Sequence, residues 1–252
     1  MPSPSTPRYA AVDMLRGLAM VWMTLFHFSF DLQHFGYLQA NFYGDPFWTL
    51  QRTAIVSLFV FCAGLGQAIA VQQGQAWARF WKRWCRIAGC ALLVSAGSYF
   101  MFPGSFIYFG ILHGMALMLI VVRLLSAVGW LLWPLGAAAL ALPWLALQLH
   151  AAWPAAELLN GRALNWLGLI SRKPITEDYA PLFPWAGVMC WGLACGQCVL
   201  SHQAAGLARW SAALSEVVPL RGLGWLGRWS LSYYMLHQPV LIAAFSLLAL
   251  WR

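Results

Sequence analysis

Residues 12–34 read VDMLRGLAMVWMTLFHFSFDLQH, and their reading decides the fold. A hydrocarbon core roughly 30 Å thick takes about 20 residues of helix to cross, and this run is long and apolar enough to do so. It nevertheless carries Asp13 and Arg16 near one end and His27, Asp31 and His34 near the other. A charged side chain deep in a bilayer costs roughly 2.5–3.5 kcal/mol on insertion scales. A helix that only anchors has no use for so many titratable groups. This one is expected to line a polar passage through the membrane and to carry chemistry at its far end.

The rest of the chain agrees with a membrane setting. Of its 252 residues, 62% are hydrophobic and 9% charged, with a mean hydropathy of +0.67. Soluble domains carry about 25% charged residues, so a soluble class is excluded. The 16 tryptophans and 8 tyrosines suit interfacial belts. A net charge of +8 could suggest nucleic acid, but the basic residues fall in short connections between apolar spans, where topology and anionic headgroups account for them. No nucleic-acid partner is expected.

The expected architecture is all-α, a polytopic membrane bundle of about seven transmembrane helices in a single domain, residues 1–252. The spans are placed at 12–32, 48–71, 84–102, 106–124, 128–149, 182–201 and 230–250, with Pro134 and Pro143 kinking the fifth. Lys and Arg mark the inner side. Arg79, Lys82, Arg83 and Arg86 lie in 72–86, Arg209, Arg221 and Arg228 in 202–229, and Arg8 and Arg123 join them. The N-terminus, with a tail over 1–10, is then cytoplasmic and the C-terminus outside. Residues 33–47, without Lys or Arg, and a long loop over 150–181 face outward; Arg52 is the exception. The first apolar run is too long for a cleavable signal and is expected to stay in the mature protein.

Each polar group has a bland and a functional reading. Asp13 and Arg16 are three apart and share a helix face, which suits an inner ion pair or a grip on phosphate. His27 and Asp31, four apart, suit a structural hydrogen bond or a base whose tautomer a carboxylate fixes. His34 falls at the rim. His113 sits in FGILHGMAL, among small residues that permit close helix approach. The basic group Arg79 to Arg86 is a positive-inside loop or a dock for an anionic nucleotide. The 150–181 loop interleaves Asn160, Asn165, Arg172, Lys173, Glu177 and Asp178 with Trp153 and Trp166, as sugar binding requires and as interfacial loops also do. Cys195-Gly-Gln-Cys198 is alone, with no second pair and no ligand-spaced His, so no metal is expected. GxSxG, Walker A and GxGxxG signatures are absent.

Four stretches together resemble one family: RYAAVDMLRGLAMVWMTLFHFSFDL, FIYFGILHGMALMLI, DYAPLFPWAGVMCWGLACG and LGRWSLSYYMLHQPVLI. They are similar to the bacterial membrane proteins grouped with the heparan-alpha-glucosaminide N-acetyltransferase catalytic domain, and they cover nearly the whole chain in order. The resemblance implies an enzyme of the bacterial inner membrane that moves an acetyl group from cytosolic acetyl-CoA to an amine or hydroxyl, usually of a sugar, on the far side. In the relatives a histidine near the outer end of the first helix is implicated. The motif position after Leu25-Phe26 is His27 here; the relatives have Asn there and their histidine further along, near His34. Both remain candidates.

On that footing His27 or His34 is the base, Asp31 orients His27, and His113 binds the acceptor or the developing oxyanion. Arg16, Arg79, Lys82 and Arg83, with His237 in the last span, are grouped as contacts for the CoA co-substrate. The acceptor is a glycan or another small molecule, and homo-oligomerisation is left open. The alternative is a small transporter or channel using the same polar helix, although no internal repeat is evident.

Overall fold

A computed structural model describes residues 9–251; of the tail expected over 1–10, residues 1–8 lie outside the described residues, and Ala10 already opens the first helix. Eight α-helices follow in order: α1 (Ala10–His34), α2 (Pro46–Gln72), α3 (Trp77–Met101), α4 (Ile111–Leu124), α5 (Leu132–Ala152), α6 (Leu182–Glu216), α7 (Val218–Arg228) and α8 (Ser230–Ala249). Each of the seven apolar stretches has its helix. Five helical segments are long and apolar enough to cross a membrane: α2, α3, α5 with the turn before it, α6 and α8. The 14-residue α4 is the shorter apolar helix, and the 25-residue α1 is about 37 Å long at the usual rise. In α3 and α8 only 11% of the spanning window is buried, and Leu92, Leu93, Phe100, Leu236, Val240 and Leu247 face outward. Water does not tolerate such continuous apolar faces, whereas lipid tails do. The protein is an integral membrane protein with an all-α, polytopic helix-bundle fold.

The chain forms two compact units, Met1–Phe59 with Gln203–Arg252, and Val60–His202, so α2 and α6 each contribute to both. In the first unit α1 buries Met20, Met23 and Phe26 in a cluster with Phe42 and Ile55, edged by Trp22, Trp48, Tyr233 and Tyr234. Phe42 and Trp48 stack at 4.1 Å. The far end of α1 closes on Gly36, whose φ of +79° lets Tyr37 N donate to Leu32 O at 2.8 Å. That left-handed residue after the last turn satisfies carbonyls that would otherwise be orphaned.

The 202–229 connection departs from its reading as a loop. There α6 runs on to Glu216, and α7 fills Val218–Arg228. Three glycines make this segment a poor helix by propensity, and one of them, Gly227, is what lets it pack closely on α1. A Cβ on Gly227 would collide with the carbonyl of Asp13, and one on Gly17 with that of Leu223. Bare glycine faces let α7 lie backbone against backbone on the first half of α1.

In the second unit small residues again set the packing. Side chains at Gly64 and Gly192 would strike α6 and α2 backbone respectively, and one at Gly187 would meet the Gly136 carbonyl of α5 at 2.5 Å. Trp191 Nε1 donates to Trp133 O (3.0 Å), and Trp84 Nε1 to Ala116 O (2.8 Å). The basic residues Arg79, Lys82, Arg83 and Arg86 lie exposed on the opening turns of α3, just after a turn at Gly74.

Candidate active site

Thr24, His27 and Asp31 recur at intervals of three and four, so they share one face of α1. Tyr233 with His237, and Tyr234 with Gln238, are each four apart on α8. The two sets meet as successive rungs between the helices. Thr24 Oγ1 and Tyr233 Oη are 2.7 Å apart; the Thr24 hydroxyl donates to Met20 O at 2.8 Å, so the tyrosine O–H is the donor in the rung. His27 Nδ1 and His237 Nε2 are 2.7 Å apart. Gln238 Nε2 donates to Asp31 Oδ1 at 2.9 Å. The rungs climb in the same direction on both helices, so α1 and α8 run parallel through this stretch.

The central rung is the chemical feature. The two imidazoles lie nearly parallel, ring centroids 5.0 Å apart. The Tyr233 ring lies nearly parallel to that of His237, inclined by 9°, and His237 Nδ1 is 2.7 Å from the backbone carbonyl of Tyr234. His237 and Asp31 are buried, 8% and 3% exposed. Two acceptor atoms of the next rung, Asp31 Oδ2 and Gln238 Oε1, are buried with no hydrogen-bond partner. A buried acceptor left unmade costs about 1–3 kcal/mol, so this rung carries two acceptors that a donor would relieve.

Several expectations about individual residues change here. Asp31 was expected to orient His27; its carboxylate instead takes Gln238, and His27 is met by the imidazole of His237. A four-residue spacing shows that two side chains can meet, but a long-range partner with better geometry wins. His237, grouped from sequence with the CoA contacts, stands against His27. His34, the last residue of α1, is exposed with its ring edge-on to Phe35. Arg16 pairs with Asp13 at 3.4 Å, at the opposite end of α1. Arg79, Lys82 and Arg83 belong to the second unit, as does His113.

His113 sits in the first turn of α4, with Nε2 3.1 Å from Ser95 Oγ. Ser95 donates to Ile107 O at 2.6 Å, so His113 Nε2–H is the donor and its buried Nδ1 is left without a partner. The segment over 150–181, expected from sequence to be the outer one and hereafter the outer segment, is held with the turn before α4 by its own polar residues. Asp178 Oδ2 accepts from Ile111 N at the start of α4 (2.8 Å), where a carboxylate also suits the helix dipole. Thr176 donates to Phe106 O (2.9 Å), and Asn165 Nδ2 to Tyr108 Oη (2.8 Å). Tyr179 donates to Asn165 O (2.6 Å); burial, with Tyr108 beside it, pushes the Tyr179 phenol above its usual range and keeps it a donor.

Thr24, Tyr233 and Tyr234 were not singled out from sequence. The signal was present, since the YYMLHQ motif places aromatic and polar groups four apart on one α8 face.

A polytopic helix bundle with paired imidazoles between two of its helices defines the class: an integral membrane protein with titratable groups paired between its helices. Within that class, the family model described as "Heparan-alpha-glucosaminide N-acetyltransferase, catalytic" matches residues 8–239, and the chain belongs to this family of transmembrane acetyltransferases. Neither the curated proteins nor the solved structures returned a match.

Proposed function

We propose that the protein takes the acetyl group of cytosolic acetyl-CoA and transfers it to a primary amine of a sugar at the outer membrane face, with His27 as general base. The observation that carries this reading is the His27–His237 rung, inside a helix pair of membrane length. A structural polar contact between helices needs one donor and one acceptor. Two imidazoles joined edge to edge retain a further ring nitrogen for chemistry.

The acceptor nitrogen attacks the thioester carbonyl carbon, the carbon–sulfur bond breaks, and CoA leaves as the thiolate. The proton lost from nitrogen passes to His27 and then to the departing sulfur. General-base help of this kind is worth about 10²–10⁴-fold. The preference for an amine rests on the neighbouring rung. An amine has one N–H for His27 and a second for the partnerless Asp31 Oδ2 or Gln238 Oε1. A hydroxyl has a single hydrogen and leaves those acceptors unmatched. The nucleotide of CoA is anionic, so basic side chains are expected to receive it at the cytosolic face.

Release of free thiol from acetyl-CoA by the purified protein in detergent, with glucosamine as probe acceptor, tests the reading. His27→Ala is expected to lower the rate by about 10²-fold or more, with the melting profile retained. Undiminished turnover in that variant removes His27 from the reaction.

A further inference from the structure

Hydrogen-bonding rules carry the imidazole pair one step further. A backbone carbonyl can only accept, so the nitrogen of His237 that faces Tyr234 O at 2.7 Å must bear a hydrogen. With Nδ1 protonated, neutral His237 has its lone pair on Nε2. That atom faces His27 Nδ1 at 2.7 Å, so His27 Nδ1 must be the donor. Neutral His27 then has no hydrogen on Nε2, and that nitrogen is the basic one. The chain from the Tyr234 carbonyl through His237 to His27 leaves one tautomer compatible with both contacts.

We infer that His237 is the positioning residue of the reaction, holding His27 as its Nδ1–H tautomer with the Nε2 lone pair presented to the acceptor. The inference rests on the reading of His27 as the base. It gives to an imidazole the part that a carboxylate plays where a histidine base is oriented by an acid, while Asp31 is engaged by Gln238. The Tyr233 ring, nearly parallel to that of His237, fixes the ring plane that this requires.

The pair can also move the charge it receives. When His27 Nε2 takes the acceptor's proton, the hydrogen on His27 Nδ1 can pass to His237 Nε2. His27 becomes neutral with its hydrogen on Nε2, and the positive charge rests on His237, whose Nδ1–H points at the Tyr234 carbonyl. Return along the same path delivers the proton to the leaving thiolate. No proton is gained or lost by the pair over the cycle.

Two measurements test the assignment. The first is ¹⁵N NMR of histidine-labelled wild-type protein in detergent, with the His27 signals identified by their loss in His27→Asn. A protonated Nδ1 and a bare Nε2 on His27 are expected, and the opposite tautomer overturns the inference whether or not the protein turns over acetyl-CoA. The second is kinetic, with acetyl-CoA and glucosamine. His237→Phe keeps a ring on Tyr233 but removes the acceptor, and is expected to lower kcat roughly 10²-fold with KM for acetyl-CoA within about twofold. His237→Gln, whose carboxamide oxygen can accept from His27, is expected to recover about 10-fold of that loss. An unchanged kcat in His237→Phe sinks the inference, as does a loss expressed mainly in KM for acetyl-CoA, which would make His237 a co-substrate contact. Inactivity of His237→Phe while His27→Ala remains active refutes the base itself.

Discussion

Between α1 and α8 polar side chains bond to one another, whereas along the outer segment of the second unit they bond mainly to backbone. Thr24 meets Tyr233, His27 meets His237 and Gln238 meets Asp31. Asp178, Thr176 and Tyr179 instead meet the main-chain groups of Ile111, Phe106 and Asn165. Loop backbone has no ladder of its own and must find partners, so side-chain-to-backbone bonds are how an irregular segment closes. Helices α1 and α8 already satisfy their backbones. Polar bonds between them are not needed to form either helix, and bilayer interiors make them costly to retain without use. On the proposed function, the comparison separates polar residues that build the fold from those that serve the chemistry, although both regions draw on the same residue types.

The strongest way to break that separation is Asp31→Asn. The carboxamide oxygen can still accept from Gln238, so the rung and the melting temperature should survive. An NH₂ then faces the place where the acceptor's second N–H is received. The loss of a charged acceptor is worth about 1.5–3 kcal/mol, or roughly 10–10²-fold in kcat/KM for glucosamine. Equal activity with the amine probe would return Asp31 to the structural group and remove the argument for an amine over a hydroxyl.

A smaller effect is expected from the other side of the comparison. Asp178→Ala leaves Ile111 N without its acceptor at the α4 N-terminus, at a cost of about 1–2 kcal/mol of stability. Thermal unfolding in detergent should register that loss, while kcat per folded molecule stays within about twofold of wild type. A large loss of kcat at unchanged stability would bring the outer segment into the chemistry.

Much of this was readable from the sequence, for physical reasons that also mark where the reading stopped. Hydrophobic length alone located a helix over each of the seven apolar stretches, because a lipid interior imposes that length. Their ends drifted where tertiary contacts extend a helix beyond its apolar run, as α6 does to Glu216. The α7 helix was hidden because RGLGWLGR has the composition of a loop, and only its contact with Gly17 and Asp13 makes helix the better state. In the candidate site the periodicity on α1 put Thr24, His27 and Asp31 on one face. The partner of each lies more than 200 positions away on α8. Intervals of three and four within one helix carry no information about which neighbouring helix supplies that partner, and so Asp31 was matched to His27 instead of Gln238.

The smallest expected effect concerns Glu157 and Arg172, the ion pair of the outer segment. Their side chains are 55% and 73% exposed. Two charges in such contact with water gain little from each other, because solvent screens the attraction and holding long side chains together costs rotamer freedom. Glu157 also accepts from Asn160 Nδ2 at 2.8 Å, and Asn160 Oδ1 in turn accepts from Ser171 N at 3.0 Å, so the segment is tied at this point without the arginine. Arg172→Ala should therefore shift stability by no more than about 0.5 kcal/mol and leave glucosamine acetylation unchanged. A marked rise in KM for glucosamine, with stability intact, would show that an exposed cation of this segment contacts the acceptor. The line between structural and reactive polar groups would then have to be drawn inside the outer segment, and no longer between that segment and the α1–α8 rungs.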